Sequence, residues 1–133
     1  MSKKVYHFDD LKEPKTPYNN LVSSEGKLVF ISTQPSVDWH TGEFIDGDIY
    51  TQAEKAMENV KMFVERAGSC VNKIIKVGIF LSDLNDFDAM NEIYLKYFPN
   101  PENQPARFTL QTSFPNPKIK VEFEAVAVVD NEK

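Results

Sequence analysis

The stretch Ile74-Ile75-Lys76-Val77-Gly78-Ile79-Phe80-Leu81 is apolar and rich in β-branched residues, which predicts a strand buried on at least one face. Residues 82–86 follow it with turn and capping chemistry, and the next segment changes to a helical period. The apolar stripe of this segment consists of Phe87, Met90, Tyr94 and Phe98, and Pro99 ends it. A buried strand followed at once by an amphipathic helix over residues 87–98 is therefore the centre of the predicted fold.

A longer helix is predicted upstream of this strand. Its apolar residues recur at three- and four-residue spacing and are Ile49, Ala53, Ala56, Val60, Phe63, Val64 and Ala67. Asp48 is suited to accept hydrogen bonds from the free N–H groups at the start of the helix, and Gly68 is suited to its C-terminal cap. We therefore expect the helix to begin after Asp48 and to end at Gly68.

The remaining segments predict strands. Residues 21–22 and 27–32 are expected to form two strands joined by a hairpin turn over residues 23–26, with Gly26 at positive φ. Residues 37–43 are expected to form a loop that turns at Thr41-Gly42. Two further strands are predicted near residues 107–113 and 118–129. The order β-β-α-β-α-β-β predicts a mixed α+β domain with two helices packed on one sheet.

The composition sets the class of protein. The chain has 133 residues, 41% of them hydrophobic and 12% aromatic, which fits one domain over residues 1–133 with a polar extended segment at residues 1–15. A net charge of −5 is unfavourable for binding a phosphate backbone, and no apolar run is long enough to span a membrane. A lone cysteine and an N-terminus without the apolar run of a secretion signal favour a cytoplasmic location.

Motifs for metal or cofactor binding are not found in the sequence. His7 and His40 are isolated, Cys70 has no partner cysteine, and neither HExxH nor CxxC spacing occurs. A glycine-rich phosphate loop and a GxSxG elbow are also missing. We therefore predict neither a bound metal nor an organic cofactor, and we assign Cys70 a structural role.

Two charged residues are candidates for chemistry. Arg107 follows Pro105-Ala106 at the start of a predicted strand, where its planar guanidinium can hold a carboxylate through two parallel hydrogen bonds. Glu122 lies on a strand whose second face becomes apolar along its length, so its carboxyl group is expected to be partly buried and able to act as a base. Position alone leaves the alternatives open: a surface salt bridge for Arg107 and a solvated strand face for Glu122.

Two further polar side chains are weaker candidates. Asn91 lies close to the apolar stripe of the second helix, where an amide is either a satisfied core group or a hydrogen-bonding group for a substrate. Tyr18 follows Pro17 in the N-terminal loop, and packing is an equally good explanation of its ring.

Eight short segments, in order and at compatible spacing, resemble motifs of the RidA/YjgF family of reactive-intermediate imine deaminases. In the N-terminal half they are Pro17-Tyr18 for the family's GPYSQ, residues 28–34 for its strand ending in SGQ, Thr41-Gly42-Glu43 for TGE, and residues 52–68 for its first helix. In the C-terminal half they are residues 77–87 for VxVFLxDxxDF, residues 91–94 for NxxY, Pro105-Ala106-Arg107 for PAR, and residues 121–127 for EIEAIA.

The resemblance implies a chorismate-mutase-like fold and a homotrimer with clefts between its subunits. It also implies hydrolysis of 2-imino acids (2-iminobutanoate and 2-iminopropanoate in the family) and their enamine tautomers to 2-keto acids and ammonia, without a cofactor. The residue matching the family's arginine, Arg107, would grip the substrate carboxylate, and Glu122 would position or activate water. Tyr18, Ser32 and Asn91 would line the same cleft.

The sequence departs from the family at three places. Thr16 and Thr33 stand where the motifs have glycine, and Phe108 stands where the residue after the signature arginine is usually small. If position 33 requires positive φ, a β-branched residue there is costly. Thr33 and Phe108 are expected to contact the substrate and narrow the pocket. These departures favour an alternative function, a ligand-binding or regulatory trimer with slow or no turnover. A further alternative is a ribonuclease or translation inhibitor, which the acidic net charge disfavours.

Overall fold

The structure is a computed structural model and describes residues 2–130, so that the outermost residues of the predicted domain, Met1 and 131–133, lie outside the described residues. Two helices, α1 (Ile49–Arg66) and α2 (Phe87–Tyr97), account for the helical stripes seen in the sequence. The strands are β1 (Lys4–Val5), β2 (Val22–Ser23), β3 (Lys27–Gln34), β4 (Val37–Asp38), β5 (Glu43–Phe44), β6 (Ile74–Leu81), β7 (Ala106–Gln111) and β8 (Val121–Val129). Short 3-10 turns occupy Val71–Lys73, Leu84–Asp86 and Pro101–Asn103.

The four long strands form one mixed sheet in the order β3-β8-β6-β7. β8 pairs antiparallel with both β3 and β6, whereas β6 and β7 run parallel because α2 connects them as a crossover. Both helices contribute to the buried core on one face of this sheet. The predicted mixed sheet with two helices on one face is thus confirmed.

The start of α1 is the one the sequence predicts, whereas its last residue is Arg66 and its C-cap is Ala67, just before the predicted Gly68. Asp48 precedes the helix in an extended conformation, and its Oδ1 accepts a hydrogen bond from the Thr51 amide at 2.9 Å. Gly68 follows the last turn with φ of +90°, a conformation that favours glycine. No helix within residues 2–130 is long and apolar enough to cross a membrane.

The predicted hairpin between residues 21 and 32 is wrong, although Gly26 does have positive φ. β2 pairs antiparallel with β1, and β3 pairs antiparallel with β8, the last strand in chain order. A local turn signal does not encode which strand will be the partner, and the partner of β2 is the N-terminal strand β1. A small hairpin was also missed: β4 and β5 pair across the predicted turn at Thr41-Gly42.

The two faces of the four-stranded sheet differ. We call the face packed on the helices the covered face; on β8 it carries Val121, Phe123, Ala125 and Ala127, all buried. We call the other the open face; it carries Leu28, Phe30, Phe80, Phe108, Leu110, Glu122, Glu124 and Val126. Several of its apolar side chains reach solvent: Phe30 is 73% exposed, Leu28 47%, Leu110 42% and Phe108 37%.

Candidate functional site

Arg107 is the second residue of the edge strand β7 and points to the covered face, in register with Val77. Its guanidinium carbon lies 4.9 Å from the ring centre of Tyr94, 5.7 Å from that of Phe87 and 5.9 Å from that of Tyr18. Nη1 also donates a hydrogen bond to the Pro17 carbonyl at 3.3 Å. Three aromatic rings therefore fix the position of the cation through cation–π contacts.

The segment that carries Pro17 and Tyr18 is held in place by Asn19. This side chain is buried, and its Nδ2 donates to the carbonyl oxygens of Pro101 and Gln104, both at 2.7 Å. The Asn19 amide donates to the Pro105 carbonyl at 3.1 Å. These bonds fasten the N-terminal loop to the residues just before β7, so Tyr18 and Arg107 are positioned together.

The surroundings of Arg107 contain buried polar atoms without partners. Asn91 Oδ1, Tyr94 Oη and Thr109 Oγ1 have no hydrogen-bond partner among residues 2–130. Asn91 and Tyr94 share one face of α2 with Phe87, and Thr109 follows Arg107 by two residues on the same face of β7. Burial raises the pKa of the Tyr94 hydroxyl, which keeps its proton available for donation. Buried polar groups are normally paired, so these three fit a site that a ligand completes.

The charge of Arg107 is not balanced within the chain. Within residues 2–130, no carboxylate lies within 4.0 Å of its guanidinium. Burial lowers the pKa of Arg107, and the group remains a cation at neutral pH because its ordinary pKa is so high. A half-buried guanidinium without a carboxylate partner is suited to bind the carboxylate of a small molecule.

Glu122 is the second residue of β8 and lies on the open face, where it pairs with Phe80 of the neighbouring strand β6. It is half-buried, as its place on an interior strand of the sheet predicts. Burial raises the pKa of the Glu122 carboxyl, and a hydrogen bond from the Thr33 side chain opposes that shift. A carboxylate in this state is suited to accept a proton from water.

Ser32 and Thr33 occupy an irregularity in β3, where the register with β8 shifts between Ile31 and Gln34. Ser32 is exposed, and Thr33 is half-buried. No residue other than glycine has positive φ within residues 2–130, so the strain considered for Thr33 does not arise.

Phe108 lies on the open face and covers Gly78. A Cβ atom at Gly78 would be 2.5 Å from Phe108 Cζ, so only glycine leaves room for the ring. The ring also packs edge-on against Phe80, at 5.6 Å between centres. Phe108 therefore shares a face with Glu122 and not with Arg107.

The predicted site residues thus fall into two groups. Tyr18 and Arg107 meet on the covered side of β7, and Asn91 shares the face of α2 that carries the Phe87 and Tyr94 rings against Arg107, whereas Thr33, Phe108 and Glu122 lie on the open face. Arg107 and Glu122 are two strands apart, roughly 10 Å across the sheet, and three residues apart along it, roughly another 10 Å. One chain does not bring them together.

Sequence reasoning missed three residues around Arg107: Asn19, which holds the loop that carries Tyr18, and Tyr94 and Thr109, whose buried hydroxyls are unpaired within residues 2–130. Tyr94 was assigned to the core because it belongs to an apolar stripe, and its unpaired hydroxyl becomes visible only in the folded chain. The sequence did contain a signal for Thr109, because strand alternation places its side chain on the same face as that of Arg107. Within residues 2–130, no group of three or more His, Cys, Asp or Glu side chains is arranged to hold a metal ion.

Comparison with known proteins agrees with this architecture. The family model described as endoribonuclease L-PSP matches residues 10–129. A RutC family protein of Pyrococcus abyssi is 37% identical over 127 residues, covering 96% of this chain and 98% of the relative. TdcF of Escherichia coli, which has the provisional name reactive intermediate deaminase, is 41% identical over 104 residues, covering 77% of this chain and 80% of TdcF.

Among solved structures, E. coli TdcF with bound serine superimposes with a TM-score of 0.69 and 35% identity, over 96% of this chain and 99% of TdcF. The match to the family model and the near full-length relatives agree with the motifs found in the sequence. The chain therefore belongs to the RidA/YjgF family.

Proposed function

We propose that this protein hydrolyses small 2-imino acids, and the enamines in equilibrium with them, to 2-keto acids and ammonia. The observation that carries the proposal is the setting of Arg107: a half-buried guanidinium with no carboxylate partner in the described chain, lying over the ring of Tyr94, whose buried hydroxyl is unpaired within residues 2–130. A 2-imino acid has a carboxylate next to its reactive carbon, so binding the carboxylate at Arg107 fixes the position of that carbon.

The reaction needs one addition, one collapse and proton transfers between them. Water attacks the imine carbon and gives a proton to the Glu122 carboxylate, which passes it to the imine nitrogen as the C=N electron pair moves there, so the neutral carbinolamine forms and Glu122 is a carboxylate again. Glu122 then accepts the proton of the carbinolamine hydroxyl and passes it to the nitrogen, the C–N bond breaks with its electron pair on nitrogen, and the C=O bond of the ketone forms as ammonia leaves. Asn91, Tyr94 and Thr109 provide hydrogen-bonding groups beside Arg107 for the rest of the bound substrate.

We propose further that the working form is a homotrimer with a cleft between subunits. Arg107 and Glu122 lie on opposite faces of one sheet, so a shared site requires Arg107 of one copy and Glu122 of a neighbouring copy. The apolar side chains of the open face, Phe30 above all, are suited to be buried in such a contact. A cytoplasmic location, favoured by the lone cysteine, belongs to the same proposal.

The relatives support a small carboxylate as the ligand. TdcF carries a deaminase name, and its structure was solved with serine, an amino acid with a free carboxylate. The description of the family model names an endoribonuclease. We do not extend that activity to this chain, because its net charge of −5 is unfavourable for an RNA backbone.

The test combines a direct assay with a mixing experiment. Ammonia and keto-acid release is measured with 2-iminopropanoate and 2-iminobutanoate generated in situ. Arg107→Lys and Glu122→Gln proteins are then assayed separately and after co-expression. If each cleft takes one residue from each of two copies, about one quarter of the clefts in randomly mixed trimers contain both intact residues. We therefore expect two nearly inactive proteins that recover about a quarter of the activity together.

Two outcomes contradict parts of the proposal. No release of ammonia above the uncatalysed rate would exclude the deaminase and favour a ligand-binding trimer. Activity in the wild type without recovery on mixing would place both residues in the cleft from a single copy. The matched control is the Arg107→Lys/Glu122→Gln double variant co-expressed with wild type, which shows how much activity dilution alone leaves.

A further inference from the structure

A notch on the open face of β6 holds the ring of Phe108. Side chains alternate along a strand, so Lys76, Gly78 and Phe80 follow one another on this face, and the glycine leaves a gap between two larger residues. Phe108 pairs with Gly78 in the parallel ladder between β6 and β7. A Cβ atom at Gly78 would be 2.5 Å from Phe108 Cζ and 2.9 Å from Phe108 Cε2. The ring therefore occupies the space that any other residue at position 78 would fill.

Side chains on three sides of the notch hold the ring in place. Phe80 packs against the Phe108 ring edge-on, with 5.6 Å between ring centres and 83° between the planes. The Lys76 ammonium lies over the ring at 5.8 Å from its centre. Glu124 Cγ forms the third side, because it too would be only 2.9 Å from a Cβ atom at Gly78. With β6 beneath it and these side chains around it, a displaced ring moves away from the sheet.

The ring borders the part of the open face that carries Glu122. Phe80 pairs with Glu122 on β8. Gly78, which lies under the ring, pairs with Glu124, two residues farther along β8. Successive side chains on one face of a strand are roughly 7 Å apart, so the Phe108 ring and the Glu122 carboxyl group lie in adjacent rows of the sheet. Phe108 is 37% exposed, so the height of its ring above the sheet sets the room beside Glu122.

We infer that Gly78 is a specificity-determining residue that acts through Phe108: the notch keeps the ring low and leaves room beside Glu122 for the side chain of a 2-imino acid. The inference rests on the proposed function for the identity of the substrate. Phe108 stands where the family motif has a small residue, and Gly78 provides the space that the larger side chain needs. A methyl group at position 78 would raise the ring, and a closely packed site has little spare volume for a longer substrate side chain.

The test compares three variants with the wild type. Gly78→Ala adds one methyl group to the notch, and Phe108→Ser removes the ring. Gly78→Ala/Phe108→Ser is the matched control, because it carries the same methyl group without a ring to displace. We measure kcat/KM for 2-iminobutanoate and for the imine of phenylpyruvate. NMR signals of the Phe108 ring, assigned by their loss in Phe108→Ser, report whether the ring moves.

A binding measurement separates substrate selection from turnover. The affinities of the corresponding 2-keto acids, 2-oxobutanoate and phenylpyruvate, are measured by calorimetry on the same four proteins. Binding of a product requires the cleft but no hydrolysis, so these affinities report on the room beside Glu122 even in a protein without deaminase activity.

In Gly78→Ala we expect the Phe108 ring signals to shift and the preference for 2-iminobutanoate over the imine of phenylpyruvate to rise roughly fivefold or more. In Phe108→Ser the preference should fall by a similar factor. The double variant should match Phe108→Ser, because its methyl group has no ring to displace. The two 2-keto acids should show the same order of preference in their affinities.

Unchanged ring signals in Gly78→Ala overturn the inference, and so does a double variant whose preference differs from that of Phe108→Ser. A shifted ring with an unchanged preference retains the packing but removes substrate selection, which also overturns it. Loss of folding or assembly in Gly78→Ala, with both intact in the double variant, would make the notch a structural requirement instead of a selecting one. Absence of deaminase activity in every protein contradicts the proposed function alone, since the 2-keto acid affinities still report on selection.

Discussion

Within one chain, the two faces of the four-stranded sheet differ in how far their side chains are buried. On the covered face, α1 and α2 bury the apolar side chains, and Arg107 is already enclosed by aromatic rings. On the open face, half-buried Glu122 lies among apolar side chains that reach solvent, with Phe30 the most exposed at 73%. In the proposed trimer, folding of one chain would therefore build the Arg107 half of the site, whereas the Glu122 half would be completed by a neighbouring copy. The predictions below test this division.

The largest effect is expected from a charge on the open face. Phe30→Asp places a carboxylate where the proposed interface is desolvated, so the protein should remain folded and become a monomer with no detectable deaminase activity. Leu95→Asp is the control, since Leu95 is 42% exposed on the outer side of α2. Sedimentation velocity at micromolar concentration measures the oligomeric state of each protein. Wild-type protein that sediments as a monomer would contradict the assembly and the shared cleft.

Arg107→Lys tests the covered face. An ammonium group is a point charge and cannot make the paired contact of a guanidinium with a carboxylate. The fall in kcat/KM should therefore correspond to a loss of about 2–4 kcal/mol of transition-state stabilisation. The thermal melt should change little. Arg66→Lys, on the exposed surface at the end of α1, is the matched control. Full activity in a folded Arg107→Lys protein would make Arg107 a structural residue only.

Phe108→Ser tests whether the open face also selects the substrate. If the Phe108 ring narrows the cleft, each extra methylene of a substrate weakens transition-state binding by roughly 1–3 kcal/mol. Removing the ring should then raise kcat/KM for large imino acids relative to small ones. Thr33→Gly should act in the same direction. Phe8→Ser is the control, because Phe8 is 38% exposed in the N-terminal segment. A substrate panel with an unchanged ranking would show that neither residue contacts the substrate.

The smallest effect is expected at the cap of α1, away from both halves of the site. Asp48→Ala removes the acceptor for the Thr51 amide and should lower the melting temperature by roughly 2–6 °C at neutral pH without changing kcat/KM. Hydrogen bonds that Thr51 donates to the Asp48 carboxylate lower the pKa of Asp48, so its contribution is present above the ordinary aspartate pKa and is lost as pH falls through the lowered value. The difference between the two proteins should therefore disappear in acid; Asp10→Ala, at an exposed residue, controls for loss of charge.

The sequence by itself determined the two helices, the four long strands and the family. The helical stripe from Ile49 and the cap at Asp48 set the start of α1, and the apolar run of residues 74–81 matches β6 at both ends. These signals are local, because helix periodicity, capping and β-branched runs act over a few neighbouring residues. The interior position of β8 was also foreseen, since apolar residues on both faces of a strand require neighbours on both sides.

Only the tertiary structure decided which residues meet. The pairing of β2 with β1 depends on a segment nearly twenty residues away, and a turn signal at Gly26 gives no information about that partner. A one-residue bulge moves Thr33 from the covered face to the open face, because strand side chains alternate with a period of two. The same alternation separates Arg107 from Glu122, and the unpaired Tyr94 hydroxyl is visible only in the folded chain, where the Tyr94 ring lies against Arg107. The family resemblance implies one cleft for Thr33, Arg107 and Glu122, but contacts between distant segments determine the face on which each of them lies.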